Sequence, residues 1–130
     1  MMNIFARLLL LSTIAISSQI YAEPTSVRKE VKFQKADQVW NGHYYLNGVM
    51  EVGSELLLQP DGKFKWMLAY GALDQYAEGT WWKNGNCIGL KPDSKFKKNL
   101  SIFPESLTIS EKSLDVTWND GRQQGSYSKD

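Results

Sequence analysis

From Lys63 to Tyr70 the chain alternates between two kinds of residue: Phe64, Trp66, Leu68 and Tyr70 at even positions, Lys63, Lys65, Met67 and Ala69 at odd ones. Successive side chains of an extended strand point to opposite faces, so this period of two predicts a strand with the even positions on the core side. Residues 76–83 repeat the pattern with a different filling: Ala77, Gly79 and Trp81 on one side, Tyr76, Glu78, Thr80 and Trp82 on the other. Small residues leading up to Trp81 predict an inward indole, with Gly79 making room for it, and an outward, exposed Trp82. Further along, Ile88 and Leu90 share a side against Cys87, and Leu107 and Ile109 alternate with Ser106, Thr108 and Ser110. Leu114, Val116 and Trp118 alternate with Asp115, Thr117 and Asn119. The last two runs have the signature of half-buried antiparallel strands with one polar face.

The breaks between these runs carry turn chemistry. Proline presets φ, and Asp-Gly or Asn-Gly tolerates the positive φ of a tight hairpin, which marks Pro60-Asp61-Gly62, Asn84-Gly85 and Asn119-Asp120-Gly121 as turns. Asn47-Gly48 separates residues 43–46 from 49–52, either as a hairpin or as a bend in one longer strand. The connection at 71–74 reads as looser. Between Lys91 and Pro104 the pattern lapses into a loop, with 100–103 a candidate edge strand, and the polar run 122–128 suits a sheet edge. No stretch after the N-terminal apolar run has helical period. The expectation is a single all-β domain over 38–130, a small antiparallel barrel or sandwich of about seven to nine short strands. Ahead of it lies a charged lead-in, 23–37, read as flexible, with a helical turn or edge strand near 31–33.

The N-terminus adds an address. Arg7 precedes an apolar run, 8–16, too short to cross a bilayer as a helix, which takes about 20 residues. Ala22, followed by Glu23-Pro24, suits cleavage, so residues 1–22 read as a signal peptide and the mature protein as periplasmic or secreted, without a membrane span. The chain left, 23–130, is 108 residues, the size of one domain with one modest core. Arg7 leaves with the signal, so the formal net charge falls from +1 to zero. A neutral domain has no electrostatic footprint for nucleic acid, and Arg28-Lys29 and the basic run 95–98 read as solvated loops. Cys87 is the one cysteine, so no internal disulfide forms and stability must come from packing.

Most site chemistry can be set aside on residue counts. One histidine and one cysteine cannot build a closed zinc site, and His43, beside Tyr44, reads as a surface or packing residue. No Gly-x-Ser-x-Gly elbow, calcium loop or phosphate-cradling glycine loop is present, and no cofactor is implied. Two constellations remain. Carboxylates pair near turns, Glu51 with Glu55 and Asp74 with Glu78, and paired acids can do general acid and base work where a pocket separates their pKa values. Aromatic residues are in surplus for a core of this size, and an outward Trp82 with Tyr76 on the same face would offer a stacking platform.

The segments 56–64, Ala77-Glu78-Gly79-Thr80-Trp81 and 84–90 resemble the hairpin grammar of bacterial lipocalin-like β-barrel domains. Tyr70-Gly71-Ala72-Leu73-Asp74 joined to Ala77-Glu78-Gly79-Thr80-Trp81, with 44–46 and 52–54, resembles a group of exported bacterial proteins of uncharacterised function. That likeness implies a fold and an address and transfers no catalytic residue. Residues 114–128 also resemble the opening hairpin of an immunoglobulin-like or carboxypeptidase-regulatory β module. The functional expectation is a non-enzymatic binding module for a small apolar or sugar-like ligand or an envelope protein, met by Tyr70, Asp74, Tyr76, Glu78 and Trp82. Two alternatives stand beside it. One is a structural or interaction protein, such as an inhibitor or assembly factor, using an aromatic face or an edge strand; the other is a hydrolase using Asp74 and Glu78.

Overall fold

Eight strands follow one another in chain order and close on themselves. The structure, a computed structural model, describes residues 29–129; the expected signal peptide and residues 23–28 of the lead-in lie outside the described residues. The strands are β1 (Gly42–Asn47), β2 (Val52–Leu58), β3 (Lys63–Tyr70), β4 (Leu73–Asn84), β5 (Cys87–Pro92), β6 (Pro104–Ser110), β7 (Ser113–Trp118) and β8 (Gln123–Ser128). Every sequential pair is antiparallel, and β8 pairs with β1 through Tyr45↔Ser128, Leu46↔Tyr127 and Asn47↔Ser126. Of the two architectures the alternation allowed, the chain takes the barrel. Eight strands is also the size at which inward side chains just fill the interior.

They do fill it. Phe64, Trp66 and Leu68 of β3 point inward as the alternation predicts, and meet Tyr44, Leu56, Ala77, Trp81, Ile88, Leu107, Leu114, Val116 and Tyr127. A bonded chain of polar groups from Tyr127, Trp66 and Ser54 runs within this core. Tyr127 Oη accepts from Trp66 Nε1 at 3.0 Å and donates to Ser54 Oγ at 2.7 Å, and Ser54 donates in turn to the Met67 carbonyl at 2.6 Å. Burial, working against those bonds, pushes the Tyr127 hydroxyl up to about 12.

At one end of the barrel, the base, the chain ahead of β1 packs over the core, with Val39 left exposed in a hollow beside Trp40, Lys112 and Lys129. A 3-10 helix, Lys35–Trp40, precedes β1, opened by Gln34 N–H donating to Asp37 Oδ2 at 2.9 Å. Tyr44 Oη donates to the Trp40 carbonyl at 2.6 Å, Trp81 Nε1 to Gln59 at 2.9 Å, and Gln38 Nε2 to Pro60 at 2.9 Å. Phe33 lies edge-on against the Trp81 ring, 4.9 Å between centroids, and over Gly62. Packing therefore begins at Phe33, within the segment read as a lead-in, and the helical turn lies just beyond 31–33.

Several local expectations are corrected. Gly79 does not make room for Trp81: a Cβ there would come within 2.0 Å of the Lys91 carbonyl oxygen, so the glycine admits the backbone of β5. Trp82 faces outward as predicted but is buried, at 7 % exposure, because its indole lies against Gly89 of β5, where a Cβ would meet the ring at 2.3 Å. The 71–74 connection is a tight two-residue turn, Gly71-Ala72, with Tyr70 opposite Leu73. Residues 100–103 are not a strand, and 122–128 do not form an edge, since β8 pairs on both sides and carries the buried Tyr127. β7 and β8 belong to the barrel, which ends the likeness of 114–128 to a separate module. Closure also gives each of the eight strands two partners, so no strand is an edge along its whole length.

Candidate functional site

The other end, the mouth, is built by side chains reaching into loops. β5 ends at Pro92 opposite Gly79, so residues 73–78 of β4 have β3 as their one strand partner. The connection 93–103, with a helical turn at Ser94–Lys97, fills the missing stretch of wall. Gln75 holds it from one side: its Oε1 accepts from the amides of Ser101 (2.8 Å) and Ile102 (3.0 Å), and its Nε2 donates to Asn99. Asn119 holds it from the other, accepting from the Phe103 amide at 3.2 Å and donating to the Ser101 carbonyl at 3.3 Å. Gln75 went unnoticed in the sequence, although a signal was there: it is the polar residue on the inward side of the alternation that includes Ala77, Gly79 and Trp81.

Within this frame lies a cup of about 150 Å³. Leu68 and Trp118, both buried, form its floor, and Val49, Val52 and Ile102 line its walls. At the rim stand Met50, 85 % exposed, and Tyr70, 48 % exposed, with Arg122 and Gln124 as the polar members. Trp118 is fixed by its Nε1 donating to the Gln124 carbonyl at 2.9 Å. Arg122 is fixed by Asp120, whose carboxylate accepts from the Arg122 amide at 3.0 Å and from Nε at 2.8 Å. The same contacts, the backbone amide first, hold the Asp120 carboxyl below its ordinary range.

The structure separates the five residues expected to form one site. Tyr70 is at the mouth, on the inner side of β3. Asp74 is exposed on the outer wall, opposite Ala69. Tyr76 and Glu78 are brought together, the Tyr76 hydroxyl donating to Glu78 Oε2 at 2.5 Å while the ring packs edge-on against Phe96 at 5.6 Å. That bond to Glu78 raises the Tyr76 hydroxyl above its ordinary value. Trp82, six positions beyond Tyr76, is about 20 Å along the strand and buried, so the two rings make no common platform. Asp74 and Glu78 are about 13 Å apart by strand rise on the outer wall, and Glu78 lines a hollow with Lys65 and Thr80 that Asp74 does not reach. Glu51 is in the β1–β2 loop, while Glu55 bonds His43 Nε2 at 2.7 Å and His43 stacks on Tyr45 at 4.6 Å. Among the described residues no group of three or more His, Cys, Asp or Glu is placed to hold a metal ion. Of the five expected residues Tyr70 lines the cup; Met50, Ile102, Trp118 and Arg122 line it without having been expected, because the chain brings them to the mouth from different connections and strand ends.

Comparison with known proteins gives no matching family model, no similar curated protein and no similar solved structure.

Proposed function

We propose that this protein is an exported, non-enzymatic binding module, cleaved after Ala22, whose ligand or partner meets the mouth of the barrel. The observation that carries the reading is the contrast between a filled interior and an apolar cup at one end. Met50 and Tyr70 stand uncovered beside that cup, and large apolar side chains concentrated around a concavity are the usual mark of a recognition site. The cup's size sets the ligand's reach. A cavity of about 150 Å³ takes roughly one ring or one branched side chain, far less than the whole ligand held inside a hollow barrel of this kind. The ligand therefore inserts one apolar group and keeps the rest outside. A non-enzymatic role is favoured by the carboxylates Asp74 and Glu78, which are set on the outer wall away from Tyr70.

The test is an amide-resolved NMR titration with a small neutral probe, 4-methylpentanamide. The expected shifts fall on Val49, Ile102 and the Trp118 indole N–H. Shifts confined to Tyr76, Glu78 and the outer wall, or none at millimolar probe, contradict the reading.

A further inference from the structure

Resting on the mouth as the binding position, we infer that its occupant is the C-terminal residue of a polypeptide, with an apolar side chain in the cup and the chain-end carboxylate on Arg122. The cup accounts for the side chain: its floor of Leu68 and Trp118 is apolar and it holds one leucine- or phenylalanine-sized group. Arg122 accounts for the carboxylate. Asp120 takes the Nε hydrogen and the backbone amide of Arg122, which orients the guanidinium plane at the rim. The two terminal nitrogens have no protein partner among the described residues, and a planar guanidinium offers them as a fork that matches a carboxylate.

The Asp120–Arg122 pair is neutral as a unit, so an anion is held by directed hydrogen bonds more than by net charge. The choice of a chain end over a small free acid comes from the rim. Met50, Tyr70 and Gln124 extend past the cup, an apolar and polar surface that a six-carbon acid inside it would leave uncovered. Residues preceding a C-terminus would lie across that surface.

Binding of three probes to the full mature protein tests this, read at the Trp118 indole N–H: the peptide Gly-Ser-Gly-Leu with a free carboxylate, the same peptide as its C-terminal amide, and 4-methylpentanoate. The acid peptide is expected to bind about tenfold or more tighter than the amide, the worth of one charge-assisted hydrogen-bonded contact. Arg122→Gln, an exposed change whose folding is checked by its melting curve, should bring acid binding down to that of the amide. Equal binding of acid and amide overturns the carboxylate assignment and leaves the mouth as a site for neutral apolar groups. Binding of 4-methylpentanoate as tight as the acid peptide overturns the polypeptide assignment in favour of a free acid. If none of the three moves the Trp118 signal, this inference and the mouth reading fall together.

Discussion

The two ends of the barrel are made of similar residues and pack them differently. At the base, Phe33, Trp40, Tyr44 and Trp81 are packed against each other or the first turns of the chain, and the polar atoms of Tyr44 and Trp81 are bonded to carbonyls. At the mouth, Tyr70 and Met50 stand uncovered, and the loops are held by side chains of Gln75 and Asn119 in place of strand pairing. The difference is between aromatic side chains that close the core and one, Tyr70, that stands half-exposed beside the cup. Aromatic content alone could not have told the two apart.

The widest gap between the ends should appear in stability. Trp81→Ala is expected to cost about 3–5 kcal/mol, since it removes a fully buried indole and the seat of Phe33. Trp82→Ala should cost about 2 kcal/mol, as its ring covers Gly89 on the outer wall. Tyr70→Ala should cost less than about 0.5 kcal/mol. Urea melts that rank the three in another order would break the comparison.

Next in size is the buried hydroxyl chain. Tyr127→Phe leaves the Trp66 indole N–H without its acceptor, at an expected cost of about 1–3 kcal/mol by urea melts. The same burial predicts a pH dependence. The hydroxyls of Tyr44 and Tyr127 are raised by desolvation from their ordinary 10.0 to about 12 in the folded chain. Unfolding lowers each pKa, so their contribution is complete below pH 10 and is lost as pH rises from about 10 to 12. Stability measured across that window should fall with the release of protons on unfolding; a flat profile would contradict the burial of both hydroxyls.

A smaller and more local effect is expected at the mouth. Gln75→Leu removes the acceptor shared by the Ser101 and Ile102 amides. Hydrogen exchange at those two amides should accelerate while the Trp81 amide, bonded to the Gly62 carbonyl at 2.8 Å, keeps its protection. Equal acceleration at both positions would mean that Gln75 supports the whole barrel.

How much of this was legible follows from the distance between partners along the chain. β3, the second half of β4, β6 and β7 were readable because each strand's face is set by its own alternation. The hairpin at 60–62 was readable because proline and Asp-Gly are local signals. Closure was not, because 122–128 reads as a polar edge until Tyr127 is seen opposite Leu46 and Leu114. Alternation gives the face of Trp82 and misses its burial, since it fixes direction and says nothing of Gly89 beneath the ring. The mouth was least legible of all. Met50, Tyr70, Ile102, Trp118 and Arg122 meet only after the sheet has closed, and of these Tyr70 alone lay in a stretch that drew attention as a site.

The most direct measurement is amide hydrogen exchange of the protein with and without saturating Gly-Ser-Gly-Leu. Protection should rise in the mouth connections, 48–51, 71–72, 99–103 and 119–122, and stay unchanged at the base in 34–41, 59–62 and Trp81. Protection that rises at the base or along the outer wall of β4, with the mouth unaltered, would contradict the assignment of recognition to the mouth.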